Sequence, residues 1–479
     1  MLREPLKQRP CESLSTNARH RGGRSRSSDE GAVMVLERRG SVILLNLEIN
    51  HYCSSMLWVG GIFLETTTKP FEISKHDVVR AWQRVKANKG AHGVDSETIE
   101  QLESDLKGNL YKIWNRMSSG SYFPPPVKTV AIPKKTGGER KLGIPTVSDR
   151  VAQMVVKLHF EPLVDSWFHQ DSYGYRPNKS AHQALEITRK RCWRYNWVLE
   201  FDIKGLFDNI DHELLMKAVR RHTDNRWLIL YIERWLKAPI QQEDGTVMMR
   251  KRGVPQGGVI SPVLSNLFMH YAFDKWMERN CPEIPFCRYA DDGLAHCQHE
   301  AEAKVLKDAL EARLRECGLE MHLDKTKIVY CKDDDRREEH PVTRFDFLGY
   351  TFRPRRSKNR WGKHFINFTP AISPKAGKAI RQEVRSWKLH LRSDKELLDL
   401  ARMFRAQIQG WISYYGRFYK SAMYPALRHI NRKLSLWATR KYKRLKRHRR
   451  RAEHRLGEIA KKFPNLFPHW KLGVRPSVG

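Results

Sequence analysis

Two adjacent aspartates, Asp291 and Asp292, stand in the run "RYADDGLAH" (288–296), inside an otherwise apolar stretch. A buried carboxylate is costly and two side by side repel, so something must neutralise them. "FCRYA" before and "GLAHC" after read as strands that meet at Asp291-Asp292-Gly293, a turn signal that would hold both carboxylates at a hairpin tip. Upstream, in "WVLEFDIKGLFDNIDH", the apolar run Val198–Phe201 delivers Asp202 to a strand end. A strand-end carboxylate facing a hairpin pair lets two strands of one sheet converge on two Mg²⁺ ions, the arrangement that two-metal phosphoryl transfer needs. Oxygen ligands suit Mg²⁺, with Mn²⁺ as a substitute. A richer acidic run, "CKDDDRREEH" (331–340), has charges on both sides and no apolar flank, so it reads as a solvated loop.

Other segments must position these carboxylates. "RGVPQGGVISPVLSNL" (252–267) contributes Gly253, Gly257 and Gly258, which let the backbone approach a flat partner, and Gln256, whose amide both donates and accepts. "ISKHDVVRAWQRVKANKG" predicts a capped helix closed by Gly90, and "VKTVAIPKKTGGERKLGIP" a basic hairpin around Gly137-Gly138. Alternating helices and strands continue to about residue 368, an α+β pattern, after which the chain turns helical. There "SDKELLDLARMFRAQIQGWISYYGRF" predicts a helix opened by a capping box from Ser393 to Glu396. "YPALRHINRKLSLWATRKYKRLKRHRRR" predicts another, with Pro425 near its start and apolar positions running from Leu427 to Leu445. Its opposite face carries Arg428, Arg432, Lys433, Arg440, Lys441 and Arg444.

Composition narrows the partner. The chain carries 88 Lys and Arg against 53 Asp and Glu, a net charge of +35, which points to a polyanion. Residues 371–479 hold 28 basic and 6 acidic residues, a net +22 of that total. The apolar run "MLWVGGIFL" (56–64) is too short to span a bilayer, so nucleic acid is the better candidate. The eight cysteines include no C-x-x-C pair and read as reduced thiols of a cytosolic protein. Residues 1–65 differ from the rest, with the Arg/Ser/Gly-rich stretch 18–28 expected to be disordered.

From about residue 66 to 475 the chain resembles group II intron-encoded reverse transcriptases and maturases. "YADD", "FDIKGLFDNI", "SYGYRPNKSAHQAL", "VPQGGVISP" and "FDFLGYTF" match family blocks, and "ISPKA", "GWISYYGRF" and "FPNLFPHWKLG" match landmarks of the thumb, or maturase-specific region. The resemblance implies a right-hand polymerase: fingers and palm over 66–368 with an antiparallel palm sheet, then a helical RNA-binding thumb over 369–479, after an extension at 1–65. It implies Asp202, Asp291 and Asp292 as catalytic metal ligands, the Ile203 carbonyl as a further ligand, and Phe207 as the aromatic gate that rejects a 2′-hydroxyl. Lys128, Lys134 and Arg140 match fingers cations that hold the incoming triphosphate, although "RKLGIP" stands where "RPLGIP" is usual. Gln256 and Lys325 complete the nucleotide site, and Arg440, Lys441, Lys443, Arg444, Lys446 and Arg447 are the RNA-binding candidates. The implied partners are structured intron RNA, an RNA template with a DNA primer, deoxynucleoside triphosphates and target DNA, in a bacterial cytoplasm. The family form implied is the one without a Cys/His nuclease module. The implied function is RNA-directed DNA synthesis together with assistance to intron splicing and mobility. Two alternatives stay open: a maturase that binds RNA without polymerising, and a reverse transcriptase serving another retroelement or host defence. Oligomeric state is not legible.

Overall fold

The computed structural model describes residues 56–59, 62–65, 69–133 and 139–477. Strands β1 (Met56–Val59) and β2 (Ile62–Glu65) pair antiparallel in a unit, Met1–Thr68, separate from the unit Lys69–Gly479. The stretch 18–28, expected to be disordered, lies outside the described residues.

In the second unit, the Ser74 hydroxyl accepts from the His76 amide and opens helix α1 (Lys75–Ala87), which buries Val78, Ala81, Trp82 and Val85 at helical spacing. The helix stops at Asn88, with Lys89 left-handed, short of the expected Gly90. Strands β3 (Val127–Pro133) and β4 (Glu139–Ile144) form the expected basic hairpin, with Ile132 opposite Arg140. Its tip, including Lys134, lies outside the described residues. Helices α2 (Val147–Asp165) and α3 (Ala181–Cys192) follow, then β5 (Trp197–Asp202), β6 (Ile240–Gln241) and β7 (Val247–Met248). β6 and β7 extend the hairpin into a sheet of order β4-β3-β6-β7.

The run Ser261–Asn280 is α4 (Ser261–Met269), one π-helical turn (His270–Asp274) and α5 (Lys275–Asn280). β8 (Phe286–Tyr289), β9 (Asp292–Cys297) and β10 (Lys327–Tyr330) complete an antiparallel sheet of order β10-β5-β9-β8. β5 is covered on both faces: Trp197, Leu199 and Phe201 join the main core, while Val198 joins a second cluster with Leu294 and Cys287. That second cluster is completed by the sheet β11 (Phe345–Phe347), β12 (Tyr350–Lys358) and β13 (His364–Ile372).

The C-terminal region is helical: α6 (Pro374–Ser386), α7 (Leu397–Tyr415), α8 (Tyr424–Lys441) and α9 (Arg449–Lys462). Its aromatics pack inward, with Trp387 stacked on Phe404 and Trp411. Tyr414 and Tyr415 instead dock α7 on the β11-β12-β13 sheet through Tyr350, and the Tyr414 hydroxyl donates to the Leu348 carbonyl at 2.9 Å. The "FPHWKLG" landmark is a plug. Buried Asn431 takes the Trp470 indole N–H at 2.9 Å and gives its own amide to the Val474 carbonyl at 3.1 Å.

Three local expectations change. The capping box of α7 runs from Glu396 to Asp399, one turn later than Ser393 to Glu396. The basic helix ends at Lys441, because Tyr442 is extended and Arg447 is left-handed (φ 64°), so Lys443–Arg447 lie on a turn before α9. The acidic run 331–340 is anchored rather than solvated. The Asp333 carboxylate holds Arg336, whose guanidinium reaches the Tyr195 carbonyl at 2.8 Å and the Cys192 carbonyl at 3.0 Å. Asp334 accepts the Ile366 amide at 3.0 Å. Removing Asp333 strands a half-buried guanidinium, so Asp333→Ala should lower unfolding free energy in urea by about 1–3 kcal/mol. Asp335→Ala, an exposed neighbour, should stay within about 0.5 kcal/mol of the parent, and equal small effects would return the loop to solvent.

Candidate active site

The β5–β9 register sets Asp202 directly opposite Asp292, and Tyr289 pairs with Asp292 across β8–β9. The turn is therefore Ala290-Asp291, one position earlier than the sequence suggested, with Ala290 in the left-handed region (φ 60°). Gly293 is not a turn residue. A Cβ there would fall 2.1 Å from the Phe201 ring, so glycine lets β9 lie flat on β5. Asp202 and Asp292 form a like-charged cross-strand pair at the sheet end, with Asp291 on the adjoining turn.

The electrostatics follow. Burial pushes the Asp292 carboxyl up to about 7, with Asp291 and Asp202 adding to the rise, although the side chain still reaches solvent. Asp291 is likewise raised by burial and by Asp202, and pulled back by Arg140 and Lys325. The Lys325 ammonium bonds the Asp202 carboxylate directly. Arg140 donates from Nε to Gln256 Oε1 at 2.7 Å. Three of the expected site residues, Lys325, Arg140 and Gln256, thus share one neighbourhood with the aspartates or with each other. Lys128 is half-buried on β3, paired with Ile144 and Gln241. Ile203 is buried and bridges Met321. Phe207 is only 7% exposed and belongs to the main core.

The glycine-rich segment corrects an expectation. Gly253 and Gly257 approach the protein's own backbone rather than a flat ligand: a Cβ would sit 2.6 Å from the Asp208 carbonyl and 2.4 Å from the Gly143 carbonyl, respectively. The segment wedges between the Phe207 turn and the base of β4, held by Val254 N–H to the Phe207 carbonyl at 2.6 Å and Gly143 N–H to the Gln256 carbonyl at 2.8 Å. From α2, Gln153 takes the Val259 amide at 2.7 Å and donates to buried Asp149 at 2.9 Å.

Sequence reading missed Arg288. Its fully buried guanidinium grips both Asp274 oxygens at 2.7 Å and donates to Asn266 Oδ1, Ser172 Oγ and the Ala290 carbonyl. The π-helical turn brings Asp274 into line, and the backbone of "SYGY" adds itself beside β8 through Tyr173 N–H to the Arg288 carbonyl. A charged residue in an apolar strand, two positions before the aspartate turn, was the available signal. Tyr175 was also missed. It is left-handed (φ 57°) and half-exposed, and its hydroxyl is raised by burial, then by Asp291.

Of the expected RNA-binding residues, Arg440, Lys443, Arg444, Lys446 and Arg447 are exposed. Lys441 differs, since its ammonium meets Glu396 at 2.6 Å.

As the side chains stand, no group of three His, Cys, Asp or Glu among the described residues surrounds a metal position, and Asp202 is turned onto Lys325. The donor set still fits a hard divalent cation: three carboxylates at one sheet end, two of them raised by crowding and burial.

A strand-end carboxylate opposite a two-carboxylate hairpin, with basic residues beside it, is the arrangement expected of a polymerase palm, and residues 132–352 match the family model for reverse transcriptase (RNA-dependent DNA polymerase). Residues 377–456 match that of the group II intron maturase-specific domain. The chain is 34% identical over 319 residues to Protein YkfC of Escherichia coli (strain K12), covering 58% of this chain and 80% of that one. It is 32% identical over 254 residues to the group II intron-encoded protein LtrA of Lactococcus lactis subsp. cremoris, covering 49% of this chain and 42% of LtrA, under half of that protein's length. The putative COX1/OXI3 intron 1 protein of Saccharomyces cerevisiae is 28% identical over 247 residues, 52% of this chain and 29% of that one. The chain belongs to the group II intron-encoded reverse transcriptases and maturases. Its fold is the reverse transcriptase fold with a helical C-terminal region, its enzyme class is RNA-directed DNA polymerase, and RNA is its class of partner. Among the described residues, no helix is long and apolar enough to cross a membrane.

Proposed function

We propose that Asp202, Asp291 and Asp292, with the Ile203 carbonyl, hold two Mg²⁺ ions and extend a DNA primer on an RNA template. The chemistry the ions supply when bound is activation of the primer 3′-hydroxyl and charge stabilisation on the departing pyrophosphate. The reading rests on one observation: Asp202 faces Asp292 in register with Asp291 on the adjoining turn, and Lys325 and Arg140 act on the same carboxylates. In the working site, Lys325 leaves Asp202 and neutralises phosphate oxygens. Arg140, oriented by Gln256, reaches the triphosphate with Lys128 and Lys134. The buried Phe207 ring closes the space beside the sugar. The basic turn Lys443–Arg447, with Arg440, binds structured intron RNA by its phosphates, and Lys441 buttresses α7 through Glu396. The cell compartment we assign is the bacterial cytoplasm. The cellular role is splicing and mobility of a group II intron into target DNA.

Purified protein should incorporate deoxynucleotides on a primed RNA template in the presence of Mg²⁺, and RNA binding without synthesis would leave only the maturase reading. Phe207→Val should admit ribonucleotides, narrowing the preference for deoxynucleotides by about tenfold or more, because removing a ring opens room for one oxygen. If the variant rejects ribonucleotides as the parent does, Phe207 is a core aromatic and no gate.

A further inference from the structure

Beyond the blocks that carry polymerase chemistry, strands β12 and β13 run on past their neighbour β11 as a two-stranded arm, with Lys358 still paired to His364. From Arg353 to His364 this arm carries Arg353, Arg355, Arg356, Lys358, Arg360 and Lys363, and no acidic residue. Arg355 is part of the fold, its guanidinium donating to the Thr351 and Thr369 carbonyls at 3.2 Å. The other five are exposed, and among the described residues none of them has a carboxylate partner.

The tip is a hydrogen-bonded turn that presents an aromatic. The Asn359 carboxamide oxygen accepts the amides of Trp361 at 3.0 Å and Lys363 at 2.9 Å, and Asn359 N–H closes the loop on the Lys363 carbonyl at 3.0 Å. Gly362 supplies the left-handed step (φ 88°). Trp361 is 74% exposed, with the Arg360 guanidinium 4.0 Å from its ring centroid. The arm is braced from the side by Asp334, which pairs with Ile366 through both its amide and its carboxylate. Between that loop and the arm lies a groove of about 390 Å³ edged by Arg356, His364 and Ile366. A large aromatic held in water by a preorganised turn, flanked by unpaired cations, matches what an RNA strand with unpaired bases requires: a stacking face and phosphate contacts.

We propose that the tip of the β12–β13 arm is an RNA-binding surface, on which Trp361 stacks on an unpaired base while Arg356, Lys358, Arg360 and Lys363 meet the flanking phosphates. The proposal rests on the RNA-partner reading and is separate from the polymerase site. Its hydrogen-bonded turn lowers the backbone entropy lost on binding.

The test uses the full-length protein, a fluorescent RNA stem with an unpaired loop, a blunt RNA duplex of equal length, and anisotropy titrations over a range of salt. Trp361→Ala should weaken binding to the looped RNA by about 5- to 100-fold and to the blunt duplex by less than about twofold, and Trp361→Phe should restore most of the loss. Replacing Arg356, Lys358, Arg360 and Lys363 by Gln should reduce the slope of log K against log salt by about 2–3, since each phosphate contact contributes about 0.7 on a single strand. Looped-RNA affinity and salt slope both equal to the parent's, in variants with an unchanged melting curve, would overturn the proposal. So would a Trp361 effect seen only with single-stranded DNA of the same sequence. Failure of the parent to extend a primer would count against the polymerase reading and leave these titrations intact.

Discussion

Asp202→Asn, and separately Asp291→Asn with Asp292→Asn, will stop RNA-templated DNA synthesis, lowering the single-turnover rate by about a thousandfold or more while RNA affinity changes by less than about twofold. Asparagine keeps the size and most of the hydrogen bonding of each side chain, so the loss isolates negative charge. The effect is large because the three carboxylates occupy one sheet end with their charges already crowded, two of them raised by burial and mutual repulsion. Losing one ligand removes several kcal/mol of stabilisation of the charge that develops on the transferring phosphoryl group. The Asp202 change also leaves Lys325 without its ion-pair partner. Primer extension by rapid quench measures the rate, and filter binding measures the affinity. Synthesis at the parental rate by either variant would remove these residues from the chemistry.

Arg288→Met comes second in size, and it acts without touching substrate. Arg288 and Asp274 are both fully buried, with side chains 1% and 0% exposed. Breaking a buried pair by removing one partner costs about 3–5 kcal/mol, because the other charge stays behind in a poorly solvating interior. Burial alone would push the Asp274 carboxyl up; Arg288 holds it below its ordinary value. In the parent, then, this carboxylate contributes stability above its unfolded value, near 3.9, and loses it as pH falls through the depressed folded value. Without Arg288 the folded value rises above the unfolded one, and the sign reverses. The deficit of Arg288→Met should therefore grow as pH rises from about 4 to 7. Urea titrations at the two pH values read this directly, and a deficit of the same size at both would contradict the pairing. A companion variant separates folding from positioning. Arg288→Met with Asp274→Leu should recover most of the lost stability, since apolar replacement of a buried pair is often neutral. Its synthesis rate should remain about a hundredfold low, because the Ala290 carbonyl, Asn266 and Ser172 have lost the donor that fixes the aspartate turn. Full recovery of the rate would make Arg288 a stability residue only.

The sequence by itself picked out the aspartates proposed for the chemistry and the elements that deliver them. An apolar run ending in Asp202, a turn between two apolar runs and a hairpin between basic arms are local patterns, written in residues a few positions apart. Charge did the same for the class of partner, because net charge needs no fold to be counted. Tertiary structure decided what depends on residues far apart in the chain. The turn sits at Ala290-Asp291 because Gly293 must lie against Phe201, some ninety positions earlier, and no local signal encodes that contact. Gly253 and Gly257 read as ligand-facing, yet their close neighbours are Asp208 and Gly143. The acidic run at 333–335 looked solvated from its flanks, whereas Arg336 reaches carbonyls at Cys192 and Tyr195 that only the folded sheet brings near. The basic helix broke at Tyr442 although the apolar spacing continued to Leu445. Arg288 is the clearest case. A buried arginine is stable only if its partners arrive from Ser172, Asn266 and Asp274 together, and periodicity along one segment carries no information about charges that meet across the core.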